Sequence, residues 1–111
     1  MKTEIPTPDF LAGISDEGVK SFEREVLEGP LFRGIIQRIE DNALAGYTGY
    51  SRQVFTTDEM RSLTVIRKNL QTAGYYCEFE IKTKRGIFGE YKEQRFVIDW
   101  SGEKNLKNRE K

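Results

Sequence analysis

The sequence predicts an α+β domain in which a three-stranded antiparallel sheet carries helices packed on one face, in the element order α-α-β-α-β-β. Three observations lead to this prediction. Apolar residues recur at helical spacing in three segments, the last two segments alternate apolar and polar side chains, and Gly or Pro residues punctuate the chain between segments. A length of 111 residues fits one core. We therefore expect an N-terminal arm at residues 1–14, a single domain at 15–101 and a polar C-terminal tail at 102–111.

The arm is distinguished from the first helix by its backbone preference. Pro6 and Pro8 favour extended backbone, so residues 1–14 are predicted to be an extended arm. Ser15 is a favourable N-cap residue, and the spacing predicts a first helix that begins there and ends at Gly29. The apolar residues of this helix are Val19, Phe22, Val26 and Leu27.

A second helix and a first strand follow. Pro30 suits the first turn of a helix, and an apolar stripe predicts that this helix continues to near Gly46. Aromatic and β-branched residues between Tyr47 and Phe55 then predict the first strand. The helical stripe consists of Leu31, Ile35, Ile39 and Ala43.

The third helix has the clearest boundaries. Thr56 stands three residues before Glu59, a pattern in which the two side chains satisfy free backbone N–H groups at a helix start. Gly74 is predicted to end the helix in the left-handed conformation that Gly adopts at low cost. The buried stripe between them consists of Met60, Leu63, Ile66, Leu70 and Ala73.

The last two strands are predicted to form a hairpin with a defined register. Tyr75 to Lys82 and Arg95 to Trp100 each alternate apolar and polar side chains. Pairing Phe79 with Phe96 is the register in which the apolar faces coincide. The same register sets Cys77 by Ile98, Asp99 by Tyr76, Glu80 by Arg95 and Lys82 by Glu93, of which the last two are predicted ion pairs.

Several kinds of chemistry are excluded within this sequence by its composition. The chain has no His, which removes imidazole catalysis and His-containing zinc sites. Its lone Cys77 is predicted to be a small buried apolar group. Three carboxylates, those of Glu78, Glu80 and Asp99, share one face of the hairpin, and we expect them to be solvated cross-strand partners. We therefore predict no enzyme activity, no cofactor and no metal site.

The tip of the hairpin is the candidate site for contact with a partner. Ile87 and Phe88 lie between two glycines, with Lys84 and Arg85 beside them. Clustered exposed apolar groups mark interaction sites. The alternative is that Phe88 folds back onto the sheet and has a structural role only.

A nucleic-acid interface is the alternative prediction, since a helix that carries basic residues is followed by a basic hairpin. The order of elements argues against a helix-turn-helix, because a strand lies between the second and third helices. The formal net charge of zero also argues against it. The contact residues of this alternative are Arg61, Arg67, Lys68 and Lys84.

The C-terminal two thirds of the chain resembles a class of small phage-encoded α/β proteins of mostly unknown function. The resemblance lies in a helix that ends near Gly46, in the segment from Leu70 to Tyr75 with its Gly-Tyr ending, and in Ile98-Asp99-Trp100-Ser101. The class often has a shorter final hairpin. The excursion from Lys84 to Gln94 is therefore where we expect this protein's own function to lie.

Together these observations predict a non-enzymatic interaction or assembly protein of phage type, either a minor structural component or a small factor that binds a host or phage protein. Self-association is an expected alternative to a foreign partner, because a three-stranded sheet leaves open edges. Residues 1–60 carry a net charge of −5 and residues 61–111 one of +5, which would orient a head-to-tail contact. Without an apolar run that could span a bilayer, we expect the host cytoplasm, or incorporation into a virion, as its location.

Overall fold

The computed structural model describes residues 4–102. It confirms the α+β class and the predicted element order. The sheet is antiparallel, and its strand order is β1-β3-β2. The elements are α1 (Pro8–Glu28), α2 (Pro30–Leu44), β1 (Gly49–Gln53), α3 (Thr57–Thr72), β2 (Tyr76–Gly86) and β3 (Gly89–Asp99).

The first helix begins seven residues before the predicted Ser15, so the extended backbone predicted for residues 1–14 is wrong from Pro8 onward. Thr7 is the N-cap, and its side chain accepts a hydrogen bond from the backbone N–H of Phe10 at 3.3 Å. Pro8 takes the first helical position, where a backbone N–H has no partner within the helix and its loss costs nothing. Residues 1–3 of the predicted arm and 103–111 of the predicted tail lie outside the described residues.

The start of α3 is close to its prediction. The backbone N–H of Glu59 donates to Thr56 Oγ1 at 3.1 Å, as the capping pattern requires. The Glu59 carboxylate accepts from the N–H of Phe55 at 3.4 Å rather than from that of Thr56, and it also pairs with Arg52 at 2.6 Å. Gly74 has a φ of 102°, which confirms its left-handed role after the helix. Through the pair of Glu59 with Arg52, the N-terminal end of α3 is also linked to β1.

The strand register of the hairpin is confirmed. Phe79 pairs with Phe96 and Cys77 with Ile98. The paired rings of Phe79 and Phe96 lie 5.3 Å apart at their centroids. Strand β1 is shorter than predicted, because the flanking Tyr47 and Phe55 are exposed and lie outside the ladder.

The core lies between the helices and one face of the sheet. Phe96, Ile98 and Cys77 on that face are almost completely buried. Burial of such side chains stabilises a fold by roughly 1.5–3 kcal/mol each. The helices contribute the remaining buried apolar side chains, which are Val26, Ile35, Ile39, Leu63, Ile66 and Leu70.

Side-chain amides from the helices cover part of both outer edges of the sheet. Asn42 on α2 donates to the carbonyl of Gly49 on β1 at 3.0 Å, and Gln71 on α3 donates to the carbonyl of Cys77 on β2 at 2.8 Å. Each bond occupies a carbonyl that the neighbouring strand β3 leaves free. Each open edge expected from the sequence therefore has one of its carbonyls occupied next to the core.

Candidate functional site

The hairpin ends in a tight turn that projects two large apolar side chains into solvent. The ladder between β2 and β3 continues to the pair Gly86 and Gly89, so that Ile87 and Phe88 alone form the turn. Ile87 is 97% exposed and Phe88 is fully exposed. Gly89 has a φ of 118°, which a side chain would strain. With its side chain fully exposed, Phe88 does not fold back onto the sheet, and that alternative is wrong.

The hairpin keeps its shape at the tip through a contact between the strands. The ring of Tyr91 on β3 lies against Gly86 on β2, close enough that a Cβ atom at Gly86 would come within 3.2 Å of Tyr91 Cε1. Aromatic rings that cover a strand glycine compensate for its missing side chain. The tip is therefore presented on an ordered support.

The two basic residues of the predicted site have different surroundings. Lys84 Nζ lies 2.5 Å from Glu93 Oε2, and the Glu93 side chain is only 4% exposed. Arg85 Nε lies 3.8 Å from Glu90 Oε1 in an exposed pair. Exposed pairs of this kind are weak. Arg85 is thus available to a partner, whereas Lys84 is held by a buried carboxylate.

Glu93 is the centre of a charge network with Lys84 and Arg95, whereas the sequence predicted a pair with Lys82. Arg95 Nη1 donates to Glu93 Oε1 at 2.7 Å, and Arg95 Nη2 donates to Ser51 Oγ at 3.0 Å. The hydrogen bond from Lys84, and then that from Arg95, holds the pKa of Glu93 below its ordinary value. The network fixes Lys84 and Arg95 on the sheet face that is opposite the helices.

The register sets both predicted pairs of opposite charge directly opposite each other, but neither forms an ion pair. Glu80 lies opposite Arg95 but accepts a hydrogen bond from the hydroxyl of Tyr76 at 3.1 Å. Lys82 lies opposite Glu93, whose ion pairs are with Lys84 and Arg95. Long side chains reach diagonal and same-strand neighbours as easily as the directly opposed residue, so register alone does not select the partner.

The basic residues of the nucleic-acid alternative do not form one surface. Arg61 lies over the ring of Phe22 at 4.1 Å, and Lys68 is exposed two turns later on the same side of α3. Arg67 is turned toward β2. It lies over the ring of Phe79 at 5.4 Å and pairs with Glu78 at 3.5 Å. Arg67 therefore has a structural role in joining α3 to the sheet.

The carboxylates on the outer face of the hairpin have protein partners. Glu78 accepts from Gln71 at 2.8 Å in addition to its pair with Arg67. Asp99 accepts from both the backbone N–H and the hydroxyl of Ser101. Within residues 4–102, no three His, Cys, Asp or Glu side chains are grouped so that they could hold a metal ion.

A second exposed apolar surface, not predicted from the sequence, lies on the first two thirds of α1. Every residue from 8 to 21 is exposed, and we call this segment the helical arm. The signal was present as spacing, because apolar residues recur three or four positions apart along it. Its large apolar side chains are Phe10, Leu11, Ile14 and Val19, each about half exposed or more.

Two further findings bear on the class of protein. None of the three helices found in the described part of the chain combines the length and the apolarity of a bilayer span. Comparison of the chain with protein-family models, with curated proteins and with solved structures gives no match.

Proposed function

We propose that this chain is a non-enzymatic protein-interaction or assembly protein that contacts its partner through the hairpin tip. The observation that carries this proposal is the near-complete exposure of Ile87 and Phe88 at the end of a fully paired hairpin. Two adjacent large apolar side chains in water are unfavourable for an isolated domain, and their burial contributes roughly 1.5–3 kcal/mol each.

The surroundings of the tip suit a protein partner. Aromatic residues and Arg are enriched in protein interfaces. Phe88 and Arg85 are both exposed at this end of the hairpin, Arg85 on β2 one residue before the paired glycine. The ordered hairpin also limits the entropy that binding would cost.

The phage type of the protein is supported by the sequence resemblance of Leu70 to Tyr75 and of Ile98 to Ser101. We propose either a minor structural component or a small factor that binds a host or phage protein. Its location would be the host cytoplasm in the second case and the virion in the first.

The test compares two variants of the full chain with the wild type. Ile87→Ser combined with Phe88→Ser removes the apolar tip, and Leu44→Ser is a matched control because Leu44 is also strongly exposed but far along the chain from the hairpin. We expect the tip variant to change the oligomeric state measured by light scattering, or to abolish binding to an isolated partner protein. If the folded tip variant keeps both the oligomeric state and the binding, the proposal is wrong.

The nucleic-acid alternative makes a different prediction. It requires retention of DNA or RNA that weakens steeply with salt and that Arg67→Ala and Lys84→Ala both reduce. The ion pairs of these residues with Glu78 and Glu93 favour a structural role instead. We expect the absorbance ratio at 260 and 280 nm to show no bound nucleic acid at low salt.

A further inference from the structure

Two parts of the chain extend beyond the packed core with every residue exposed. The first is the helical arm, residues 8–21. The second, which we call the hairpin extension, comprises residues 81–92 of β2, the turn and β3. Neither is covered by the rest of residues 4–102.

The helical arm is amphipathic and lacks the features of a helix that is stable alone. Isolated helices shorter than about 12–15 residues are marginal in water, and each interior Gly costs about 1 kcal/mol relative to Ala. The arm contains Gly13 and Gly18. Leu11 and Ile14 continue toward the N-terminus the apolar stripe that Phe22 and Val26 bury against the core. Packing of this stripe on an apolar surface would therefore stabilise the arm.

The hairpin extension offers such a surface on the helix side of the sheet. Ile81 lies on the same face as the buried Cys77 and the partly buried Phe79, yet it is 65% exposed. The helix layer thus ends while the sheet continues. Thr83, Arg85 and Lys92 lie on this uncovered part of the face.

The two surfaces match in length and in charge. The arm has 14 residues and is about 21 Å long at the helical rise. The β2 part of the extension, residues 81–86, is about 20 Å long. The arm has a net charge of −2, from Asp9, Asp16 and Glu17 against Lys20. On the helix side of the sheet the extension has a net charge of +1, from Arg85 and Lys92 against Glu90.

We infer that the partner of the hairpin is a second copy of this chain, whose helical arm packs on the hairpin extension and continues the helix layer of the sheet. This inference rests on the proposed function and names its partner. Each copy carries one arm and one extension, so that a two-fold dimer forms both contacts at once and leaves neither surface exposed. Arg85 and Lys92, which share the face of Ile81, attract the acidic arm and set its position.

The test reverses the charge of each surface in turn. Asp16→Lys with Glu17→Lys makes the arm basic, and Arg85→Glu with Lys92→Glu makes the extension acidic. Each variant alone then presents like charges, and we expect its dimer dissociation constant in sedimentation experiments at low salt to rise about tenfold or more. In an equimolar mixture of the two variants, both contacts are again between opposite charges. We expect the mixture to recover the wild-type affinity through heterodimers.

Cross-linking tests the same contact without altering charge. A tagged Leu11→Cys chain is mixed with an untagged Thr83→Cys chain, both carrying Cys77→Ala, and a short bis-maleimide is added. We expect a product that joins tagged to untagged chain, several times more abundant than with Lys20→Cys, which lies on the opposite side of the arm. A further chain carries both Leu11→Cys and Thr83→Cys. If cross-links form only within this chain and not between chains, the arm covers its own hairpin and the inference is wrong.

The remaining outcomes separate this inference from the proposed function. A wild-type chain that is monomeric at every concentration, but binds another protein through Ile87 and Phe88, overturns the second-copy partner and keeps the proposed function. A dimer that the tip variant disrupts and the charge variants do not keeps the proposed function and the second copy as partner, but it overturns the contact between the arm and the hairpin extension. A chain for which neither set of substitutions changes any association overturns both.

Discussion

The ring of Tyr91 lies against Gly86 across the hairpin, and a Cβ atom at Gly86 would approach Tyr91 Cε1 to 3.2 Å. This contact is diagonal, since the residue directly opposite Tyr91 is Lys84. It stands between the buried network of Glu93 and the exposed turn. The ring therefore adds a cross-strand contact beside the tip.

Tyr91→Ala should loosen the tip while leaving the core intact. Loss of an aromatic cross-strand contact costs roughly 0.5–1 kcal/mol, and here the cost falls on the end of the hairpin. We expect faster amide hydrogen exchange at Lys84 and Gly86, whose N–H groups face β3, with almost unchanged exchange in α3. Lys92→Ala is the matched control on the other face of β3. Unchanged exchange at Lys84 in the Tyr91 variant would contradict the supporting role of the ring.

Glu93 should make the stability of the protein depend on pH in the acid range. Its pKa in the folded chain lies below the ordinary value of 4.5, mainly because of the hydrogen bond from Lys84 and then that from Arg95. The unfolded chain therefore binds the proton more readily. The stabilisation is fully present above about pH 4.5 and is lost as the pH falls through the folded pKa.

The measurement is urea unfolding of the wild type and of Glu93→Gln between about pH 6 and pH 3. The variant keeps one acceptor oxygen, for either Lys84 or Arg95, and has no charge to lose. We expect it to be less stable than the wild type at pH 6 and the difference to shrink toward pH 3. A difference that stays constant over this range would show that the ionised form of Glu93 has no special role.

Arg67 should matter for stability far more than its neighbour Lys68. Arg67 lies over Phe79 and pairs with Glu78, whereas Lys68 is exposed on α3. We expect Arg67→Ala to lower the free energy of unfolding by about 1 kcal/mol, from the ring contact and a partly exposed ion pair. Lys68→Ala should change it by less than about 0.5 kcal/mol. Thermal unfolding of both variants checks the prediction, and equal effects would refute it.

Cys77 should be unreactive in the folded protein. Burial, reinforced by the charge of Glu78, raises the pKa of its thiol to about 12, and the side chain is almost completely buried. The thiolate is the reactive species, so an aromatic disulfide reagent at neutral pH should react only as fast as the chain opens. Labelling should accelerate sharply in denaturant. Reaction of the native chain at the rate of a free thiol would place Cys77 at the surface.

The elements with clear periodicity were predictable from the sequence, and those governed by end effects were not. The pairing of Phe79 with Phe96 followed from alternation, because a slip of one residue would move both rings to the wrong face. The start of α1 was missed, since Pro8 was interpreted as a residue of extended backbone. Its position after Thr7, a residue that caps a helix, was the signal for a helix start.

The candidate site was predictable in position but not in its contacts. Two glycines around Ile87 and Phe88 indicated a turn, and the structure places both side chains in solvent. The partner of Lys84 was not predictable, because the choice of Glu93 among nearby carboxylates depends on side-chain conformation. The exposure of Leu11 and Ile14 was not predictable, because the apolar pattern of one helix does not show how far the other elements extend along it.

The amides of Asn42 and Gln71, bonded to the edge carbonyls of Gly49 and Cys77, have a consequence for the protein at high concentration. A small sheet with two bare edges is a template on which further chains can add without limit, as in amyloid fibrils. Here the helices interrupt each edge beside the core. Growth of the sheet from copy to copy is thereby opposed at these two points beside the core.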